Sequence, residues 1–198
     1  MAEISAKSVM ELRKSTGLGM MDCKQALKET DGDIEKAVEY LRKKGMAAVE
    51  KRAGREATDG LIVSYIHPGS RLGVLVEVNC ETDFVARTED FQQFARDVSM
   101  HIAASQPLAV KREDIETELL EKERAIYSEQ AKNEGKPENI AEKIVQGRIE
   151  KFYQENCLME QNFVKNPDQT IEQMITELTA KIGEKIGVRR FSCFRLGE

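Results

Sequence analysis

Apolar positions between residues 5 and 45 recur every three to four residues, in three short runs separated by glycine and aspartate. The first run holds Val9, Met10 and Leu12, with Ser5 placed to cap its start and Gly17 its end. A serine oxygen satisfies an unpaired N–H at a helix start, and glycine accepts the left-handed turn that stops one. Gly17-Leu18-Gly19 leads into a second run with Cys23, Ala26 and Leu27 inward. Asp31-Gly32-Asp33 breaks that helix and caps a third, where Ile34, Ala37, Val38 and Leu41 keep helical spacing up to Gly45. The pattern predicts a three-helix bundle over residues 1–46, with a core too small to be more than marginal alone. Residues 47–59 lose the apolar repeat and read as a linker, helical in part.

The period then falls to two. Leu61 to Ile66 reads as a strand, Pro68-Gly69-Ser70 as a turn, and Leu72, Val74, Val76 and Val78 alternate along a returning strand. This predicts a β-hairpin with one face on a core. Phe91, Phe94 and Val98 mark a helix running on through His101 and Ala104. Two charged helices, 113–133 and 138–155, flank Gly135-Lys136-Pro137, the expected punctuation of a helical hairpin. Ile115, Leu119 and Ile126 are expected to face Ile140, Ile144 and Phe152 in a seam narrow enough for a coiled arm projecting into solvent. A last helix (Ile171, Ile175, Leu178, Ile182) and a strand from Val188 to Leu196 return to the sheet. The predicted class is α+β: a bundle, then a 60–198 core of antiparallel sheet, packed helices and a protruding arm at about 113–155.

Composition narrows the function. Of 198 residues, 33% are charged and 6% aromatic, and no run of about 18 apolar residues could span a bilayer. The start (Ala2, Glu3, Ser5, Lys7) is polar where a signal peptide would be apolar, so a cytoplasmic chain off the membrane is expected. Cys23, Cys80, Cys157 and Cys193 show no Cys-x-x-Cys spacing, and with only His67 and His101 beside them no metal site or cofactor is expected. They read as free thiols, with Cys193 the one placed to face a partner subunit. Residues 1–58 hold 12 Lys/Arg against 10 Asp/Glu, a net of +2, and the remainder 18 against 25, a net of −7. The densest basic stretch, Arg42 to Arg55, reads as a solvated helix end rather than a phosphate-binding patch, and the acidic remainder favours a protein partner over nucleic acid.

Enzyme motifs are absent: no phosphate loop, no nucleophile elbow, no His-Glu-x-x-His. Cys80 and His101 could pair as nucleophile and base, but nothing in their spacing requires it. Two segments resist a purely structural reading. Leu18-Gly19-Met20-Met21-Asp22 puts adjacent methionines beside a glycine turn, either plugging the bundle or forming an adaptable contact surface. Cys80-Glu81-Thr82-Asp83-Phe84-Val85-Ala86 lies where the second strand meets a helix. Thr82 can cap a short helix there, and Phe84 is either a core anchor or an exposed aromatic probe.

Leu12-Arg13-x-x-Thr16-Gly17-x-Gly19-Met20-Met21-Asp22-Cys23-Lys24-x-Ala26-Leu27 closely resembles the N-terminal signature of the bacterial elongation factor Ts family, and Glu77-Val78-Asn79-Cys80-Glu81-Thr82-Asp83-Phe84-Val85-Ala86 resembles its second signature. Met100 to Ser105, Gly135-Lys136-Pro137 and Arg189-Arg190-Phe191 match in order, so the resemblance covers essentially the whole chain. It implies a guanine-nucleotide exchange factor that is not an enzyme in the covalent sense. Its partner would be elongation factor Tu, the GTPase that delivers aminoacyl-tRNA to the ribosome. The bundle would be similar to a ubiquitin-associated domain. Arg13, Met20 and Met21 would touch the GTPase, Thr82, Asp83, Phe84 and Val85 would displace its Mg²⁺, and His101 matches a further contact. The resemblance is to a short form with one core copy, which implies a homodimer. Two other functions stand beside it, an adaptor built on the bundle and a ribosome or RNA binder using Arg42–Arg55.

Overall fold

A computed structural model describes residues 4–135 and 137–198; Ala2, Glu3 and Lys136 lie outside the described residues. The elements run α1 (Ala6–Thr16), α2 (Met20–Glu29), α3 (Ile34–Arg52), β1 (Asp59–Ile66), β2 (Leu72–Cys80), α4 (Asp83–Ala86) and α5 (Glu89–Ser105). The chain continues through α6 (Thr117–Asn133), α7 (Glu138–Asn156), β3 (Asn162–Phe163), β4 (Asn166–Thr170), α8 (Ile171–Ile182) and β5 (Gly187–Arg195). The fold is α+β as expected. One sheet has the order β1-β2-β5, and β3 pairs antiparallel with β4, a ribbon the apolar pattern did not predict. No helix among the described residues is long and apolar enough to cross a membrane.

Two compact units form, neither continuous in sequence. The first contains the chain up to Leu61, residues 78–93 and residues 173–187. Its bundle follows the sequence signals closely. The Ser5 side chain accepts from the Ser8 N–H at 3.1 Å, Asp33 accepts from the Lys36 N–H at 3.0 Å, and Gly17 ends α1 at φ 68°, donating to Arg13 O. Val9, Leu12, Cys23, Ala26, Leu27, Ala37 and Leu41 make the core, while Val38, part of the same apolar repeat, is exposed. Gly60, at φ 142°, passes so close to β2 that a side-chain carbon there would sit 2.1 Å from Val78 O.

Gly45 corrects the sequence reading. It does not end α3, which continues to Arg52 through much of the expected linker. It is buried, and a Cβ there would meet the Ala180 Cβ of α8 at 3.4 Å and Thr176 at 3.7 Å. The residue is small because two helices approach closely at that point. Arg52, at the end of α3, donates from Nε to Gly183 O at 3.0 Å.

The second unit contains residues 62–77, 94–172 and 188–198. On β2, Val74 and Val76 are buried, as the alternation predicted. The opposite parity is also apolar and lies open: Ile62, Ile66 and Leu75, with Phe194 and Leu196 at the end of the chain, are exposed. Arm helices α6 and α7 pair through Leu120, Tyr127 and Ala131 against Ala141, Val145 and Ile149. Ile126 and Ile140, expected in that seam, are half exposed, because Tyr127 rather than Ile126 falls on the i, i+4 row with Ala131. At the arm's base Arg112 bonds Glu160 and Glu150 and stacks 4.5 Å from the Tyr153 ring.

His101 is fully buried in the second unit. Its Nδ1 accepts from the Val164 N–H at 3.3 Å, which leaves Nε2 to donate to Gln161 Oε1 at 3.0 Å, and Phe163 packs with its ring centroid 6.0 Å away. Gln161 in turn donates to Glu155 O, and Lys165 pairs with Asp97 of α5 at 2.7 Å. A neutral imidazole thus fastens the β3–β4 ribbon to α5. Burial lowers the His101 pKa below its ordinary 6.5, and the Gln161 bond offsets this only in part.

Gly45→Ala should change stability by less than ~1 kcal/mol, since better helix propensity offsets a contact at the edge of ordinary packing. Gly45→Val should cost about 1–3 kcal/mol by overpacking against α8. Urea unfolding checks both. A group whose native pKa is depressed stabilises fully above its unfolded value and loses that contribution as pH falls through the native one. Between pH 7.5 and 5.5 the wild-type urea midpoint should therefore drop further than that of His101→Gln, and equal drops would contradict the assignment.

Candidate functional site

The turn after β2 is built to hold one aromatic ring in solvent. Thr82 precedes α4, whose four residues include Val85 and Ala86, both buried, with Phe84 on the other side at 77% exposure. Leaving a phenylalanine in water forgoes about 1.5–3 kcal/mol that burial would return. A core-anchor role for Phe84 is therefore excluded. Asp83 is half buried beside it and pairs with Arg87 at 2.7 Å. Val85, which the resemblance placed among the contacts, anchors the turn from inside.

The backbone before Phe84 rests on a carboxylate from the far end of α8. Glu184 Oε2 accepts from the Glu81 N–H at 3.2 Å and the Thr82 N–H at 3.1 Å, and its Oε1 accepts from the Thr82 hydroxyl at 2.7 Å. The exchange is reciprocal, because Glu81 accepts from the Lys185 N–H at 2.6 Å and from Arg55 at 3.0 Å. Those bonds hold the Glu81 carboxyl below the usual carboxylate range, the Lys185 N–H contributing most. Lys185 Nζ donates to Ala53 O and Arg55 O, just past α3.

Cys80 is fully buried, and its thiol donates to Thr82 O at 3.1 Å. Burial, with a smaller contribution from the Glu184 charge, pushes that thiol up to about 11, so it stays protonated and is no nucleophile at neutral pH. Cys157 is likewise buried and pushed up to about 11, and among the free thiols Cys193 is the exposed one. Among the described residues no three His, Cys, Asp or Glu side chains gather as metal ligands.

In the bundle, Met20 and Met21 are 42% and 75% exposed, which removes the reading that both plug the core. They open α2 just after Gly19, and the residues that turn inward are Cys23, Ala26 and Leu27. Met20 lines a surface groove with Lys7, Met10, Glu11, Arg13 and Lys14. Arg13 is exposed there, so the groove presents methionine apolar surface under a largely cationic rim. His101 is placed differently. It continues the inner stripe of Phe91, Phe94 and Val98 on α5, and no ring atom reaches the surface.

Of the six cations between Arg42 and Arg55, four are paired within the chain. Lys43 pairs with Glu39 at 2.8 Å and Lys44 with Asp22 at 2.7 Å, while Arg52 and Arg55 are bonded to Gly183 and Glu81. This is not a stripe of free cations aimed at phosphates. Sequence reasoning missed Glu184 and Lys185. The available signal was two charged residues directly after Gly183, a glycine that ends a helix at φ 86° and so turns the chain back toward its neighbours.

The family described as Elongation factor TS matches residues 6–198. The chain is 61% identical to elongation factor Ts of Geobacter sulfurreducens over 195 residues, covering 98% of this chain and 90% of that one. Elongation factor Ts of Carboxydothermus hydrogenoformans is 60% identical over the same shares, and that of Desulforamulus reducens is 60% identical over 198 residues, 100% of this chain and 91% of the relative. With Met20 and Met21 exposed on α2 and Phe84 exposed at the β2–α4 turn, the chain belongs to the elongation factor Ts family of translation elongation factors.

Proposed function

We propose that the protein is a guanine-nucleotide exchange factor that binds elongation factor Tu in its GDP form, disturbs the Mg²⁺ site and lets GDP leave so that GTP can bind. The observation that carries this reading is Phe84, held 77% exposed on a buttressed four-residue helix. Residues 1–46 serve as the binding module, with Arg13, Met20 and Met21 against the GTPase domain. Residues 47–59 connect it to the 60–198 core, whose Thr82, Asp83, Phe84 and Val85 form the wedge, Val85 from below. His101 contributes by holding the β3–β4 ribbon rather than by contact.

The energetics are those of linkage. Nanomolar nucleotide affinity represents about 12 kcal/mol, and a factor that prefers the empty GTPase must weaken nucleotide binding by the same ratio. A thousandfold faster release needs a barrier lower by about 4 kcal/mol. Mg²⁺ demands near-octahedral geometry, so a small displacement of its surroundings by an aromatic wedge is costly to the bound state. No covalent step is needed. The work belongs to the cytoplasm, where translation elongation occurs. A homodimer is the natural occupant of the open apolar sheet parity at Ile62, Ile66 and Leu75, a patch that water would otherwise cover.

In stopped-flow release of fluorescent GDP from elongation factor Tu, Phe84→Ala should lower the maximal rate about tenfold, ~1.4 kcal/mol, with an unchanged urea midpoint. Met21→Glu should instead raise the concentration giving half-maximal release. Wild-type kinetics in both variants would refute the proposal. Light scattering should return a dimer mass that Leu75→Glu converts to a monomer mass; a monomeric wild type would remove the dimer.

A further inference from the structure

Phe84 packs against little, so its position is set by its backbone, which Val85 and Ala86 anchor after it and the Glu81–Thr82 segment before it. That backbone has three donors in sequence: the Glu81 N–H, the Thr82 N–H and the Thr82 hydroxyl. All three bond the two oxygens of Glu184, at 3.2, 3.1 and 2.7 Å. The Thr82 oxygen, fixed in this way, is also the acceptor facing the Val85 N–H, at 3.5 Å, at the start of α4. Hydrogen bonds to a carboxylate are roughly twice as strong as neutral ones, and three on one group determine both distance and direction.

Glu184 is itself held. It follows Gly183, whose N–H donates to Thr179 O at 2.9 Å to close α8 and whose carbonyl receives Arg52 Nε. Lys185, next in sequence, returns a backbone N–H to Glu81. The protonated Cys80 thiol, donating to Thr82 O, closes the arrangement beneath the turn.

We propose that Glu184 is the positioning residue of the exchange wedge: its carboxylate fixes the Glu81–Thr82 backbone and thereby the direction in which Phe84 is presented to the GTPase. The assignment rests on the exchange reading above and adds to it a residue outside both signature segments. Glu184 need touch neither nucleotide nor metal. It acts through Phe84. Glutamine can reproduce the arrangement, with its oxygen on the two backbone N–H groups and its amide donating to the Thr82 oxygen, whereas alanine cannot.

The test uses the full chain and stopped-flow release of fluorescent GDP from elongation factor Tu, together with amide hydrogen exchange at Glu81 and Thr82 in the free protein. Glu184→Ala should lower the maximal release rate about tenfold while the half-maximal concentration stays within about twofold, because the methionine surface is untouched. Glu184→Gln should stay within about threefold of wild type. In a Phe84→Ala background, Glu184→Ala should cost less than about twofold more, since a positioning residue has nothing left to position. Exchange at the Thr82 amide should accelerate at least about tenfold in Glu184→Ala. Thr82→Val, which removes one of the three donors together with the acceptor facing the Val85 N–H, should show the same effects in smaller degree, and its Thr82 amide exchange carries the test if Glu184→Ala does not fold. Wild-type release by Glu184→Ala, or a full tenfold loss repeated in the Phe84→Ala background, overturns the assignment. Wild-type release by Phe84→Ala overturns the exchange reading instead. In that case faster Thr82 exchange still establishes Glu184 as the clamp of this turn, and unchanged exchange removes it.

Discussion

Two neighbouring pairs, Glu81–Thr82 and Glu184–Lys185, exchange carboxylates for backbone N–H groups across more than a hundred residues of sequence, and the first unit is arranged around that exchange. Each carboxylate is acceptor-only and each backbone N–H needs an acceptor, so the two segments satisfy one another without a continuous β-ladder. Arg52 and Arg55 at the end of α3 join the same group of atoms, one through Gly183 O and one through Glu81. The last helix of the bundle and the turn bearing Phe84 are thereby referred to a common point.

That common point explains how the chain keeps apolar groups in water. Phe84 and Met21 each stand about three-quarters exposed, against a gradient that would bury them given any freedom to collapse. Collapse is prevented by anchors on either side: Val85 and Ala86 under the aromatic turn, and Cys23, Ala26 and Leu27 beneath the methionines. Apolar area withheld from the core in this way remains available for association. A binding partner that covers it gains the burial term without first unfolding anything.

The electrostatics point the same way. The cations of Arg42–Arg55 that would suit a nucleic acid are largely occupied by Glu39, Asp22, Glu81 and the Gly183 carbonyl. The groove beside Met20 keeps Lys7, Arg13 and Lys14 on its rim, so its charge and its apolar surface are presented together. An adaptor acting through the bundle alone would leave the exposed Phe84 without a use.

Much of this was legible in the chain itself. Capping residues Ser5 and Asp33, the glycine stop at Gly17, the period-two run of β2 and the two signature segments depend on near neighbours, and near neighbours are what a sequence displays. Gly45 looked like a helix end because glycine usually is one; only the approach of Ala180 and Thr176 shows that it keeps two helices close. Ile126 and Tyr127 differ by one position, and the partner helix decided which of them enters the seam. His101 matched a contact residue by resemblance alone, and the fold places it in the core, bonded to Gln161 and Val164. Sequence alone determined most of the elements and the family, because these follow from local periodicity and motif. Tertiary structure decided which side chains stay in water and that Glu184 holds the turn beneath Phe84, because a hydrogen bond between residues a hundred positions apart leaves no periodic trace in the chain.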